Sequence, residues 1–293
     1  MEDLTMHPEA RAYIDAVAKL NLKRYHQLSV EDARARHETI SRNFSGKISY
    51  EGQIEDIKIP CTYLDSGIPA RLYKPDGREE SCPIIVYSHG GGHTVGSINS
   101  YDSCCRLMSL KCKAIVLSIG YRLAPEYKWP AQPDDCLTAV NWVLQNKDQI
   151  GGSKKSKVGI SGDSAGGHIS ATTAHDVKDL DFQILIYPKV CSYVVPSIEK
   201  YGYSAGLSRA DAEWFYGNYI QKDLFDPTDP RLFPIHRSSF KGLPKAMIII
   251  AEIDPVADES REYIKKFKEA GEPVRVVEVN GVVHGFFHLI GRN

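Results

Sequence analysis

The sequence predicts an α/β protein built on a mostly parallel sheet with helices on both faces. Two observations carry that reading. Short, continuous Val/Ile/Leu runs recur along the chain, and amphipathic stretches of helical period lie between them. A strand buried on both faces has no polar side to present, so it reads as an unbroken apolar run rather than an alternation. The composition fits: 293 residues, 42% hydrophobic and 25% charged, suffice to bury a large sheet-centred core.

The elements follow in order. Ala10, Tyr13, Ile14, Val17 and Leu20 recur at helical spacing and predict a first helix. Ser29 with Asp32 forms a capping-box pattern that opens a second helix through Ile40. At Ile54 the period changes: Ile54 to Ile59 and Ile68 to Tyr73 read as two strands with a turn around Asp65-Ser66-Gly67. Further strands are expected at Ile84 to Ser88, Ala114 to Ser118, Val158 to Ser161, Phe182 to Tyr187, Ala246 to Ala251 and Val274 to Val279. Helices are expected at Tyr101 to Lys111, Asp134 to Gln145, Ala165 to Ala174 and Asp258 to Ala270. One extra helix, Arg209 to Ile220, opens on the Ser208/Asp211 capping pair and carries Trp214, Phe215 and Tyr219. There is no internal repeat and no low-complexity linker.

Charge and cysteine usage narrow the function classes. A net charge of −1, with Lys and Arg scattered among Asp and Glu, gives no basic stripe for nucleic acid. No apolar run approaches the roughly 20 residues that span a bilayer. The acidic, polar start MEDLTMHPEA is unlike a signal peptide, so a cytoplasmic protein is the default expectation. The cysteines, Cys61, Cys82, Cys104, Cys105, Cys112, Cys136 and Cys191, are odd in number and contain no CxxC pair. They read as reduced thiols, with Cys104 and Cys105 as core fillers.

Gly162-Asp163-Ser164-Ala165-Gly166-Gly167 joins a strand to a helix, the context of a nucleophile elbow. A serine on so tight a turn needs almost no side chain two residues away on either side, and Gly162 and Gly166 meet that need. The turn aims the hydroxyl out of the sheet, while the new helix offers its N-terminal N–H groups to a developing oxyanion. Alone the motif is weak, since an ordinary Gly-rich turn looks the same. Support comes from His89-Gly90-Gly91-Gly92, directly after the strand ending at Ser88. Such glycines let the backbone approach a substrate and aim free N–H groups at a carbonyl oxygen. A phosphate loop would need GK[ST] or GxGxxG, and neither is present.

In this arrangement the acid and base should follow the serine in the order Asp or Glu, then His, each at a strand end. Asp254 follows the strand Ala246 to Ala251, and His284 follows Val274 to Val279. Asp254 is preferred over Glu252, which lies nearer the strand itself, and over Asp258, which looks like the first turn of the next helix. Asp229 sits in a turn-rich loop. His236 and His288 lack the strand-end position and read as ordinary polar residues. His93 and His168 flank the two Gly-rich turns, where either pocket lining or a partly exposed structural role would suit them.

Together these motifs resemble the hormone-sensitive-lipase-like branch of the α/β-hydrolases, a group of short-chain carboxylesterases and arylacetamide deacetylases. The resemblance spans nearly the whole chain. Besides the two Gly-rich motifs it includes Tyr-Arg-Leu-Ala-Pro-Glu at 121 to 126, Leu-Ile-Tyr-Pro at 185 to 188, Asp254-Pro255 and His284-Gly285-Phe286. It implies an α/β-hydrolase fold with a helical cap: an N-terminal helical cap segment, residues 1–45, and a catalytic domain, residues 46–293, bearing a cap helix near 208–220. It implies a serine esterase for small esters of short to medium acyl chains, with Ser164 as nucleophile, His284 as base and Asp254 orienting the base. The N–H groups of Gly91, Gly92 and Ala165 would form the oxyanion hole. His93, Tyr187, Trp214 and Phe215 are the expected substrate-binding side chains, and no metal or cofactor is expected. Amide or formamide hydrolysis is the second enzymatic reading. A gibberellin-receptor-like binding protein is the non-enzyme one, although those receptors lack the histidine found here at 284.

Three departures stand out. His93 replaces the aromatic residue usual after the glycines, the segment from His175 to Asp181 is short, and the usual helix after His-Gly-Phe is missing. The last point leaves a sheet face to be covered by a partner or exposed. A homodimer through the strand Val274 to Val279 is therefore expected, since an uncovered edge tends to pair.

Overall fold

The computed structural model describes residues 5–192, 194–203 and 206–290. Among them eight strands form one sheet. In chain order these are β1 (Gly52–Ile59), β2 (Ile68–Pro75), β3 (Ile84–Ser88), β4 (Ile115–Ile119), β5 (Val158–Asp163), β6 (Phe182–Ile186), β7 (Lys245–Ile253) and β8 (Val274–Val283). They lie in the order β1-β2-β4-β3-β5-β6-β7-β8. β1 and β2 pair antiparallel, β2 joins β4 antiparallel, and every later pairing is parallel. Every residue of β3, β4 and β5 is buried, as their unbroken apolar runs require.

The helices are α1 (Pro8–Lys19), α2 (Val30–Phe44), α3 (Asp102–Cys112), α4 (Ala131–Gln145), α5 (Ala165–Asp176), α6 (Pro196–Tyr201), α7 (Arg209–Tyr219) and α8 (Ala257–Glu269). Ser29 and Ser208 each accept the backbone N–H three residues on, from Asp32 and Asp211, and donate their hydroxyls to the same residues' carboxylates, so both serines cap their helices. α8 buries Tyr263, Ile264 and Phe267 in the cluster that also holds Ile248 and Ile250 of β7. Cutting fully buried Phe267 to alanine should cost about 3–5 kcal/mol. Cys104 and Cys105 are buried in the cluster with Tyr73 and Tyr101, as core fillers should be, and all seven cysteines are free.

Most element ends shift by one to a few residues from the sequence reading, and two differences matter most. α6 was not foreseen, because six residues are too few to show a helical period. β8 runs on to Val283, past the expected end at Val279 and through Asn280-Gly281. Those residues bulge. Ala251 pairs with Val279 and Ile253 with Val283, so two steps along β7 match four along β8. Gly281 has φ +70°, and a Cβ there would lie 2.5 Å from the His7 nitrogen. Its N–H donates to Glu252 Oε2 at 2.6 Å, and its carbonyl accepts from His7 N at 2.9 Å. β8 is one edge of the sheet, opposite β1. After His284 the chain makes one 3-10 turn, Phe286–His288, and Phe287 and Ile290 pack against the Tyr73, Tyr87 and Tyr101 cluster. Among the described residues no helix is long and apolar enough to cross a membrane.

Candidate active site

Ser164 stands between β5 and α5 with φ 53° and ψ −116°, a conformation few side chains adopt and one typical of strained functional turns. The glycines around it are a steric necessity. A Cβ on Gly162 would lie 2.3 Å from the Gly166 carbonyl oxygen, and one on Gly166 only 1.9 Å from that of Ser88.

The β8 bulge decides what Ser164 meets. By bringing Val283 opposite Ile253, it sets the following residues, His284 and Asp254, side by side. His284 Nδ1 is 2.6 Å from Asp254 Oδ2, and Nε2 is 2.8 Å from Ser164 Oγ. A carboxylate only accepts, so Nδ1 carries the hydrogen and Nε2 receives the serine hydroxyl. Asp254 is fully buried, and its other oxygen accepts from Val256 N at 2.9 Å. Burial of His284 pulls its pKa down, but the Asp254 charge and hydrogen bond outweigh this and leave it above the ordinary value of 6.5.

The Gly90 to Gly92 loop faces the serine. The N–H groups of Gly91, Gly92 and Ala165 donate to no acceptor among the described residues. Gly91 and Gly92 take φ +111° and +56°, and a Cβ on Gly92 would strike the Phe215 ring at 2.3 Å. Asp163 fastens this loop to the elbow. Its buried carboxylate accepts from Gly90 N and Tyr87 OH, both at 2.7 Å, and from Tyr101 OH at 3.3 Å. Burial raises its pKa, against those hydrogen bonds. The motif alone assigns Asp163 no role. Its position between Gly162 and Ser164 was the available signal.

A cavity of about 380 Å³ opens over Ser164 and His284. Tyr13, Ile14 and Val17 of α1 line it, as do His37 of α2 and Phe215 of α7. The N-terminal segment and α7 are tied together beside it. Arg24 donates to buried Asp211 Oδ2 through Nη2 at 2.6 Å and Nε at 2.9 Å, and His26 N donates to Oδ1 at 3.1 Å.

Of the four expected substrate-binding side chains, His93 and Phe215 line this cavity. Tyr187 does not: it is fully buried beneath the site, its ring 4.7 Å from that of His284. Nor does Trp214, which packs on Ala33, Val95 and Phe215. On a helix it points roughly 100° away from Phe215, and Tyr216 and Tyr219 take the wall instead. The rival acids have other tasks. Glu252 holds the β8 bulge, Asp258 accepts from Ser197 N and Arg261 Nη1, and Asp229 caps a turn at Arg231 N. Among the histidines, His236 bonds Ser192 Oγ away from the cavity, whereas His288 lines it and is buried rather than an ordinary polar residue. His93 and His168 are buried in the wall too, which removes the partly exposed alternative.

The α/β-hydrolase-fold family model matches residues 85–288, well over half of the chain. The chain belongs to the α/β-hydrolase family. Its branch is the hormone-sensitive-lipase-like one. It is 35% identical over 246 residues to the carboxylic ester hydrolase LipN of Mycobacterium tuberculosis, covering 80% of this chain and 65% of that protein. It is 30% identical over 299 residues to the ethyl acetate hydrolase of Pseudomonas putida, covering 98% and 93%. A hyperthermophilic esterase from the archaeon Pyrobaculum calidifontis superposes with a TM-score of 0.88 at 32% identity, covering 98% of this chain and 92% of that one.

Proposed function

We propose that this α/β-hydrolase is a serine esterase that cleaves small carboxylic esters through an acyl-enzyme. The carrying observation is the hydrogen-bonded line Ser164–His284–Asp254 under a cavity, beside backbone N–H groups without acceptors. The ester-hydrolase names of full-length relatives support it, and they favour neither the amidase nor the receptor reading.

The geometry gives the steps. Ser164 Oγ attacks the ester carbonyl as its proton passes to His284 Nε2, and the C=O pair moves onto oxygen, where Gly91, Gly92 and Ala165 N–H groups receive it. The C–O bond to the alcohol breaks as Nε2 returns the proton to the leaving oxygen. Water then enters, loses its proton to His284, and frees the acid and the serine. Asp254 keeps the hydrogen on Nδ1 and stabilises the imidazolium formed in each half.

The N-terminal segment and α7 act as a cap in this reading, with the Arg24–Asp211 contact as the clasp. A cavity of about 380 Å³ walled by Phe215, Tyr216 and Tyr219 suits short to medium acyl chains. An alkyl fluorophosphonate should label Ser164, and Ser164→Ala should lose several orders of magnitude in turnover. A label mapped to another residue, or near-normal turnover in that variant, removes the proposal.

A further inference from the structure

α2 does more than wall the cavity. His37 and Ile40 line the cavity from this helix, and on an adjoining face three polar side chains hold the segment that follows the oxyanion glycines. Arg34, Glu38 and Ser41 are spaced four and three residues apart, so they share that face. Arg34 Nε donates to the Thr94 carbonyl at 3.0 Å, Glu38 Oε1 accepts from Ser97 Oγ at 2.9 Å, and Ser41 Oγ donates to the Ser100 carbonyl at 2.6 Å. Arg34 grips nearest the glycines. Its guanidinium also gives Nη2 to the Ala124 carbonyl at 3.0 Å and pairs with Glu126 through both Nη atoms, at 2.8 and 2.6 Å.

The Thr94 carbonyl is linked to an oxyanion donor by two peptide units. Such a unit is planar and trans, so its C=O and its N–H point opposite ways and turn together. Thr94 O and Val95 N belong to one unit, and Val95 N donates to Gly91 O at 2.9 Å. Gly91 O and Gly92 N belong to the next, so whatever fixes that carbonyl aims the N–H on its far side. The line starts at the Arg34 guanidinium and ends on Gly92 N–H, which meets no acceptor among the described residues. Its first donor carries a full charge, and hydrogen bonds in series polarise one another. Arg34 therefore both directs Gly92 N–H and strengthens it as a donor. Gly91 N–H has no such link, because Gly90 O is held within the loop by His89 Nδ1 at 2.7 Å.

We propose that Arg34 is a positioning residue for the oxyanion hole, acting on Gly92 N–H through the Thr94–Val95 and Gly91–Gly92 peptide units. This rests on the serine-esterase reading and assigns part of its rate to the N-terminal segment. One helix both walls the substrate and aims an oxyanion donor.

Turnover of p-nitrophenyl butyrate, expressed per active site titrated to completion with the fluorophosphonate, tests it. Arg34→Met keeps the stem but neither the donors nor the charge. Its kcat should fall about 10- to 100-fold with KM within about twofold, because the interaction it weakens is made only in the transition state and the donor is misaimed rather than removed. Glu126→Gln breaks only the exposed ion pair and should stay within about threefold of the wild type. An alkyl trifluoromethyl ketone, whose adduct with Ser164 carries the oxyanion, should lose affinity in Arg34→Met by the factor lost in kcat/KM. Partial unfolding would instead lower the titrated sites and leave each at full rate. Full kcat per site in Arg34→Met, a loss confined to KM, or an unchanged ketone affinity overturns the proposal. An equal loss in Glu126→Gln overturns it too, since the effect would then lie in the ion pair. If Arg34→Met yields no folded protein, Arg34→Gln, which lacks the charge, is read on the same terms. Wild-type protein that turns over no ester strikes the esterase reading itself, a result distinct from any of these.

Discussion

His284 and His168 sit in the wall of one cavity, and their protonation runs in opposite directions. Burial alone favours the neutral ring in each. Across its far nitrogen His284 meets the Asp254 carboxylate and ends above 6.5, whereas His168 meets the Leu232 carbonyl and falls to about 4. A carbonyl fixes the tautomer as firmly as a carboxylate does. Only the carboxylate adds the charge that lets the ring take up a proton during the reaction. The base is thus set apart by its partner, and a buried histidine near a serine is not one by position alone.

The sharpest way to break this contrast is Asp254→Asn, which makes His284 resemble His168. Turnover should fall by about 10⁴, the scale seen when a serine-protease aspartate is so changed. The inflection of the residual activity should also move down, because burial then dominates over the lost charge. Asp258→Asn should be nearly silent by comparison, and the reverse pattern would mean that Asp258 is the acid.

In the wild type the base must be neutral, so kcat/KM rises with pH through the His284 pKa. Because that pKa is raised, the inflection should lie above 6.5, and each pH unit below it should cost about tenfold. His168, already neutral at about 4, should add no second inflection between pH 5 and 8. A profile flat down to pH 5 would contradict the assignment of His284.

Much of this was legible in the sequence because it is local. The strand runs, the elbow glycines and the order Ser164, Asp254, His284 depend on neighbours a few residues away. What escaped depends on distant contacts. The expected strand stops at Val279, yet the N–H of Gly281 is captured by Glu252 and its carbonyl by His7, and the chain continues as a bulge. The resemblance places Trp214 in the cap beside the pocket, but not on its lining face. Which face of α7 turns inward is set by buried Asp211 on Arg24, and that face carries Phe215 and Tyr219 at i+4 and i+8.

The bulge can be tested by Glu252→Ala, which frees Gly281 N and loosens the register between Asp254 and His284. A loss of about 10²-fold in kcat with little change in KM is expected, the cost of a misplacement near 1 Å. A change in KM alone would mean the carboxylate serves binding instead.

The α7 wall of the cavity is expected to set acyl length. Each methylene buried contributes up to about 0.8 kcal/mol, and one too many costs about 1–3 kcal/mol in displaced side chains. kcat/KM over a series of p-nitrophenyl esters should therefore peak at a short or medium chain and then fall. Tyr216→Ala should move the peak to longer chains while Trp214→Ala should leave it in place. A rate still climbing at long chains, or activity confined to emulsified lipid, would mark a lipase.

The smallest effect on activity is expected from the edge beside His284. Among the described residues β8 has a sheet partner on one side only, Val276 on it is 41% exposed, and His7 occupies one carbonyl near its end. Unpaired N–H and C=O groups along such an edge favour pairing with a like edge, and a second copy supplies an identical one with two-fold symmetry. Light scattering at micromolar concentration should therefore give twice the chain mass. Val276→Lys should shift the protein towards monomer, because two copies would set like charges close together across the joined edges. The triad is held within one chain, so turnover of a small ester should change by no more than about twofold, within the range expected of a surface substitution. Monomer alone at that concentration in the wild type would show that the edge stays unpaired.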